Sequence, residues 1–261
     1  MLVATFNCNS IRRRLPVILA WLEQYHPDAL ALQETKCCDE DFPKAEIEKA
    51  GWKVYFCGEK SYNGVAWITE HKPTAISFGL QDSQDDEQNT SATRLAWLRL
   101  GDLHLLNLYV PQGQEMGSAK FKFKLVWLKR LRNFLEKNFQ PKRDRLLVVG
   151  DLNMAPAEID VYDHKAIWPH VCHCQEIVAA FSDLIGWGLV DVFRKHLPEP
   201  GVFTFWDYRV PNALKRNMGW RIDHILATPP LAARSREVFV DRKARCQPQP
   251  SDHTFVAVRF V

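Results

Sequence analysis

Short apolar runs separated by polar turns alternate with a few amphipathic stretches along these 261 residues, a pattern of strands and surface helices rather than of a helical bundle. Leu2–Phe6 is a β-prone run, Leu15–Leu22 carries apolar residues at helical spacing, and Ala29–Leu32 is a second apolar run with a polar tip. The order is strand, helix, strand. Lys53–Cys57, Val65–Thr69 and Ala75–Phe78 read as further strands, with Asn63-Gly64 marking a turn between two of them. The acidic, polar stretch Gln81–Ser91 has no apolar periodicity and reads as an exposed loop.

Arg94–Leu100 and Leu103–Val110 flank Gly101-Asp102, which predicts a hairpin whose arms are apolar on both faces. From Ser118 to Phe139 the stripe Phe121, Leu125, Leu128, Leu135 and Phe139 predicts a surface helix with Lys and Arg on its other faces. Leu146–Val149 is a short buried strand running into Gly150-Asp151-Leu152-Asn153. Glu176–Ile185 follows as a helix, and Arg221–Ala227 and Phe255–Phe260 as strands. Many short strands with a few helices between them predict two packed sheets covered by helices. With no internal repeat and no Gly-, Ser- or Pro-rich linker, residues 1–261 read as one domain.

Composition narrows the class. Apolar Leu2–Phe6 precedes Arg12-Arg13-Arg14, the reverse of a signal peptide's order, and no run approaches the roughly 18 apolar residues of a membrane span. A soluble, intracellular protein with no membrane partner is expected. Seven irregularly spaced cysteines predict reduced thiols. His170-Val171-Cys172-His173-Cys174 lacks the paired Cys-x-x-Cys halves of common zinc sites, so packed thiols are the preferred reading. The net charge of +3, from 34 basic and 31 acidic residues, is too balanced to identify a partner. Its distribution says more: basic residues gather at Arg12–Arg14, between Lys120 and Arg132, and from Arg209 to Arg245. Residues 205–245 hold nine basic against four acidic side chains. Such patches attract phosphate backbones, although any one of them can simply solvate a surface.

Polar residues stand at the ends of several apolar runs: Asn7, Glu34, Asp151 and Asn153, with Asp223 inside Trp220–Ile225 and Asp252-His253 before the last strand. Strand ends on one rim are where sites are usually built. Asn, Asp and Glu supply the oxygen ligands of a hard cation such as magnesium. Singly, an Asp or Asn after a strand is more often a turn or a helix cap. Five such positions are less expected by chance, though spacing alone does not bring them together.

The ordered blocks Ala4–Arg12, Leu32-Gln33-Glu34-Thr35-Lys36, Leu108–Gly113, Gly150-Asp151-Leu152-Asn153, Trp220-Arg221-Ile222-Asp223 and Ser251-Asp252-His253 resemble the exonuclease III family of abasic-site endonucleases. The match spans nearly the whole chain, and six blocks in order are far more specific than Gly-Asp-x-Asn alone. The resemblance implies a four-layer α/β sandwich, a monomer, double-stranded DNA with abasic sites or 3′ ends as substrate, and Mg2+, with Mn2+ as a substitute. It implies Glu34 as the principal metal ligand, within a set that also holds Asn7, Asp151, Asn153, Asp252 and His253. Asp151 would orient or deprotonate the attacking water, His253 paired with Asp223 would clamp the scissile phosphate, and Asn153 and Tyr109 would stabilise charge on its oxygens. By position Phe205, Trp220 and Ile222 would form the pocket for a base-free sugar, which swings out of the duplex cheaply. Arg209, Lys120 and His170 are the DNA-contact candidates. The match thins between Met154 and Gln175, and a bulky His170 there predicts a preference for DNA ends over internal cleavage. A non-DNA phosphodiesterase and a non-catalytic DNA-binding protein remain the alternatives. The first would be favoured by lipid-facing loops or attached domains, which are not visible; the second by loss of Glu34, Asp151 or His253, which are all present.

Overall fold

The computed structural model describes residues 1–85 and 90–261. In chain order its elements are β1 (Leu2–Asn7), α1 (Ile11–Tyr25), β2 (Ala29–Gln33), α2 (Lys44–Lys49), β3 (Lys53–Cys57), β4 (Val65–Thr69), β5 (Ala75–Phe78), β6 (Leu95–Leu100) and β7 (Leu103–Tyr109). Then come α3 (Ala119–Asn138), β8 (Arg145–Asp151), α4 (His164–Ile167), α5 (Gln175–Trp187), β9 (Val190–Asp191), α6 (Val192–His196), β10 (Asp223–Ala227), α7 (Pro229–Ala232), β11 (Ser235–Asp241) and β12 (Phe255–Phe260). They form two six-stranded sheets, ordered β11-β12-β1-β2-β4-β3 and β5-β6-β7-β8-β10-β9. Each sheet contains one parallel pair, β1–β2 in the first and β7–β8 in the second, with antiparallel neighbours elsewhere.

The apolar faces dictate the layering. Val3, Ala31 and Trp67 of the first sheet meet Leu105, Val149 and Ile225 of the second in a fully buried interior. Truncating a side chain such as Trp67 there would cost about 3–5 kcal/mol. The outer face of the first sheet packs on Ile18, Trp21 and Leu22 of α1, and that of the second on Trp127 and Leu131 of α3 and Ile177 of α5. Four layers result, as expected. Polar bridges cross the interior: Asn107 Nδ2 donates to Leu32 O and Ala66 O, both at 2.9 Å, Asn107 Oδ1 accepts from Gln33 Nε2 at 2.7 Å, and Trp67 Nε1 donates to Ala96 O at 3.0 Å. No described helix is long and apolar enough to cross a membrane.

Several sequence expectations change. The hairpin forms, with Leu100 paired to Leu103, but Arg99 is exposed, so β6 is not apolar on both faces. On α3 the buried stripe includes Lys124 and Arg130, while Leu125 is half-buried. Arg14, Arg221 and Arg245 are buried too, so part of the basic clustering serves the interior, while most of its members stay exposed. Arg130, for example, holds Asp82 and Asp85 at 2.6 Å. Of the expected Gln81–Ser91 loop, residues 86–89 lie outside the described residues; the remainder carries no helix or strand. β11 was not expected, because a bulge between Ser235 and Glu237 breaks its alternation and leaves Arg236 and Glu237 adjacent on the surface.

Candidate active site

The C-terminal ends of both parallel pairs point to the same rim of the sandwich. That rim receives Asn7 from β1, Glu34 just past β2, Tyr109 from β7 and Asp151 from β8. The antiparallel neighbours begin there: Asp223 opens β10 directly opposite Asp151, and His253 lies just before β12. Two tight approaches fix the loops. Gly150 has φ +138°, and a Cβ there would lie 2.0 Å from Leu108 O; Gly64 has φ +91°, and its Cβ would lie 1.9 Å from Thr35 Oγ1. Glycine is required at both positions. Glu34 and Asn153 themselves adopt left-handed backbone, φ 51° and 50°.

Asn7 straps the two sheets together: its Nδ2 donates to Glu34 Oε1 at 2.8 Å and to Asp151 Oδ2 at 2.9 Å. Its Oδ1 accepts from Asn9 N at 3.0 Å, and Nδ2 sets the spacing of the two carboxylates. Asp151 Oδ1 accepts from Asn153 N at 2.9 Å, and Asn153 Nδ2 donates to Val110 O at 2.9 Å. His253 Nδ1 is 2.9 Å from Asp223 Oδ2, which leaves Nε2 3.8 Å from Asp151 Oδ2. Ligand atoms of Glu34, Asp151 and His253 all lie within 4.8 Å of one another, and among the described residues this is the one such group of three or more. The His170–Cys174 segment forms none.

Residues 4–253 match the model of the Endonuclease/Exonuclease/phosphatase family. The chain belongs to that family. Exodeoxyribonuclease III of Haemophilus influenzae is 33% identical over 98% of both chains, so membership extends to the exonuclease III branch. Among solved structures, an AP endonuclease from Archaeoglobus fulgidus superposes with a TM-score of 0.94 at 40% identity, covering 100% of this chain and 99% of that one. The 3′ phosphatase NExo from Neisseria, in a substituted form bound to a product DNA hairpin, has a TM-score of 0.92 at 36% identity and the same coverage.

Electrostatics distinguish the members of this family site. Burial pushes the Asp151 carboxyl up, as do the charges of Asp223 and Glu34, against the pull of His253. Burial opposes a charge on His253, but Asp223 and Asp151 outweigh it and push the imidazole up to about 10, so it is an imidazolium at neutral pH. Burial would also raise Glu34, yet Lys36, with Nζ 2.7 Å from Oε2, and Asn7 hold it below the usual carboxylate range. Burial and the charges of Glu34 and Asp151 keep the Tyr109 phenol protonated. Asp223 Oδ1 is buried without a hydrogen-bond partner among the described residues. Crowded carboxylates, whose oxygens can each accept more than the one contact they make here, fit a hard divalent cation, which would relieve the repulsion now borne by Asp151.

The group sits in a cleft of about 560 Å3 that Phe205, Trp220 and Ile222 also line. The Phe205 ring lies 4.8 Å from that of His253, and Phe205 and Trp220 exchange backbone hydrogen bonds at 3.0 and 2.9 Å. His170 closes one end, its ring 4.8 Å from Trp220 and its Nδ1 accepting from Cys172 N at 3.1 Å. Burial, with Lys124 and His173 nearby, lowers the His170 pKa. Asp252 reaches the cleft, but its Oδ1 is held by Asn9 Nδ2 at 2.9 Å. Arg209 lies at the mouth, bonded to Asp207, while Lys120 is exposed on α3 and does not line the cleft. Lys36, Gln112, Asp207 and Lys124 escaped the sequence reading as site residues. Lys36 and Gln112 sit inside blocks already singled out, and Asp207 lies two residues past Phe205; Lys124 looked like one more surface charge.

Proposed function

We propose that this chain is a metal-dependent DNA repair phosphodiesterase that hydrolyses the bond 5′ to abasic sites and trims or unblocks 3′ ends. The observation that carries the reading is the Glu34–Asp151–His253 group, assembled from both sheets beside an aromatic and apolar slot. Abasic-site and 3′-end chemistry among the relatives supports the same substrate. Magnesium, replaceable by manganese, is the proposed ion, held by Glu34 with Asp151, Asn153 or Asp252 completing the set. It would supply Lewis acidity at the phosphoryl oxygen and neutralise the leaving oxygen.

The chain's own residues do the rest. Both oxygens of Asp151 are fixed, one by Asn7 and one by Asn153 N, so the carboxylate is aimed when it orients a water and takes its proton. That water forms the new P–O bond, and the bond to the 3′ oxygen breaks with its electron pair leaving on that oxygen. His253, already charged and steered by Asp223, donates from Nε2 to a non-bridging oxygen, and the protonated Tyr109 phenol donates to the same developing charge. Phe205, Trp220 and Ile222 accept a base-free sugar and exclude an intact nucleotide. The enzyme works as a monomer inside the cell.

The test uses two labelled duplexes, one with an internal tetrahydrofuran abasic analogue and one with a recessed 3′ end, each with Mg2+ and with EDTA. Cutting that vanishes in EDTA is expected; no cutting of either duplex would remove DNA as the substrate. His170, wedged against Trp220, favours a second reading in which ends outcompete internal sites. His170→Gly should then raise internal incision relative to trimming, and an unchanged ratio would dismiss it.

A further inference from the structure

Lys124 is fully buried on α3 behind the cleft, and among the described residues no carboxylate lies within hydrogen-bond reach of its ammonium. It donates instead to three carbonyls: Val171 O at 2.6 Å, Asn153 O at 2.7 Å and Gln112 O at 3.2 Å. A buried ammonium is tolerated when its donors are used, and three acceptors match its three N–H bonds. The acceptors belong to three separate cleft walls: the segment after β8, the turn that carries His170 and Cys172, and the segment after β7. Gly113 clears the route of the lysine stem. A Cβ there would meet Lys124 Cδ and Phe121 Cδ2 at 3.3 Å, on a backbone of φ +99°.

We propose that Lys124 is a positioning residue for phosphodiester hydrolysis, acting through Asn153 on Asp151 and fixing the His170 turn against both. This rests on the hydrolase reading above. The chain of contacts is short: Lys124 grips the Asn153 carbonyl, and the Asn153 amide grips Asp151 Oδ1 at 2.9 Å. Asn153 holds a left-handed conformation, φ 50°, that backbone bonds must maintain. Releasing its carbonyl frees the 153–154 peptide and with it the left-handed turn at Asn153, whose N–H on the preceding peptide brackets the carboxylate that aims the water.

Lys124→Met keeps most of the side-chain shape, and Lys124→Ala opens a slot for a small amine. Both are assayed with wild type on the abasic and recessed-end duplexes, below their melting temperatures. A kcat fall of about 100-fold with KM for DNA within about threefold is expected, the scale of an ångström-level misplacement. n-Propylammonium should restore Lys124→Ala about tenfold, roughly the net worth of one hydrogen bond, whereas tetramethylammonium, which has no N–H, should not. Unchanged kcat, a loss carried by KM, a loss that follows the unfolded fraction, or failure of both variants to fold would each overturn the assignment. Wild type that cuts neither duplex would overturn the hydrolase reading instead.

Discussion

Asp160 offers a quantitative test of how the cleft wall is held. It is completely buried and accepts from Arg221 Nε at 2.6 Å, Arg221 Nη2 at 3.0 Å and Ala157 N at 2.9 Å, with Arg194 as a further partner. Arg221 stands between Trp220 and Ile222, so the pair braces the slot from behind. Burial would raise the Asp160 carboxyl, but Arg221 and Arg194 prevail and bring it from 3.8 to about 2. At about 1.4 kcal/mol per pH unit, the ionised form contributes about 2 kcal/mol to folding. Because the folded value lies below the unfolded one, that contribution is complete above about pH 4 and is lost as pH falls through about 2. Asp160→Asn removes it and leaves Arg221 with Asp191 alone, which costs about 3–5 kcal/mol at pH 7, or roughly 10 °C in melting temperature. Urea unfolding of both proteins from pH 7 to pH 2 should show the stability gap constant to about pH 4, then narrowing by about 2 kcal/mol, since a protonated Asp160 resembles the amide that replaces it. A gap that stays flat, or widens in acid, would refute the reasoning.

Three further outcomes are expected. Asp151→Asn should lower the cutting rate by about three powers of ten or more while DNA affinity, measured by fluorescence anisotropy, stays within about threefold. Glu34→Gln should raise the Mg2+ concentration for half-maximal activity about tenfold or more, read by titrating the metal back into EDTA-treated protein. Gly64→Ala, whose Cβ would overlap Thr35 Oγ1, should cost about 1–3 kcal/mol and reduce activity by displacing Glu34. Gly101→Ala, with φ +61° and nothing within 4 Å, is the milder comparison in the same thermal-melt and cutting assays.

Short apolar runs made strands legible, among them those of β1, β2 and β8 at the site, and β3, β4, β5 and β12 were expected with the bounds observed. The same runs gave away their polar tips, hence Asn7, Glu34 and Asp151. What brings those tips together is pairing between distant segments, as in Asp223 opposite Asp151, and spacing along the chain carries no record of that. Short helices such as α4 and α7, of four residues each, hold too few turns to show a period. Lys124 was misread for a different reason: a lysine's charge reads as exposure unless one knows that three carbonyls wait inside.

The Asn107 bridge turns the sandwich into a keyed joint. Apolar packing between facing sheets resists a slip through interdigitation but tolerates repacking, whereas a hydrogen bond demands one geometry. Asn107 bonds to Leu32, Ala66 and Gln33 at one setting only, and a slip of a single residue breaks all three contacts. Glu34 rides on one plate of the joint and Asp151 on the other, so the key also indexes the distance between them. Exchanging Asn107 and Gln33 together for leucines would remove the key and leave a more uniformly oily interface, a change that thermal stability could tolerate or even reward. Turnover would register the loss of alignment that melting does not.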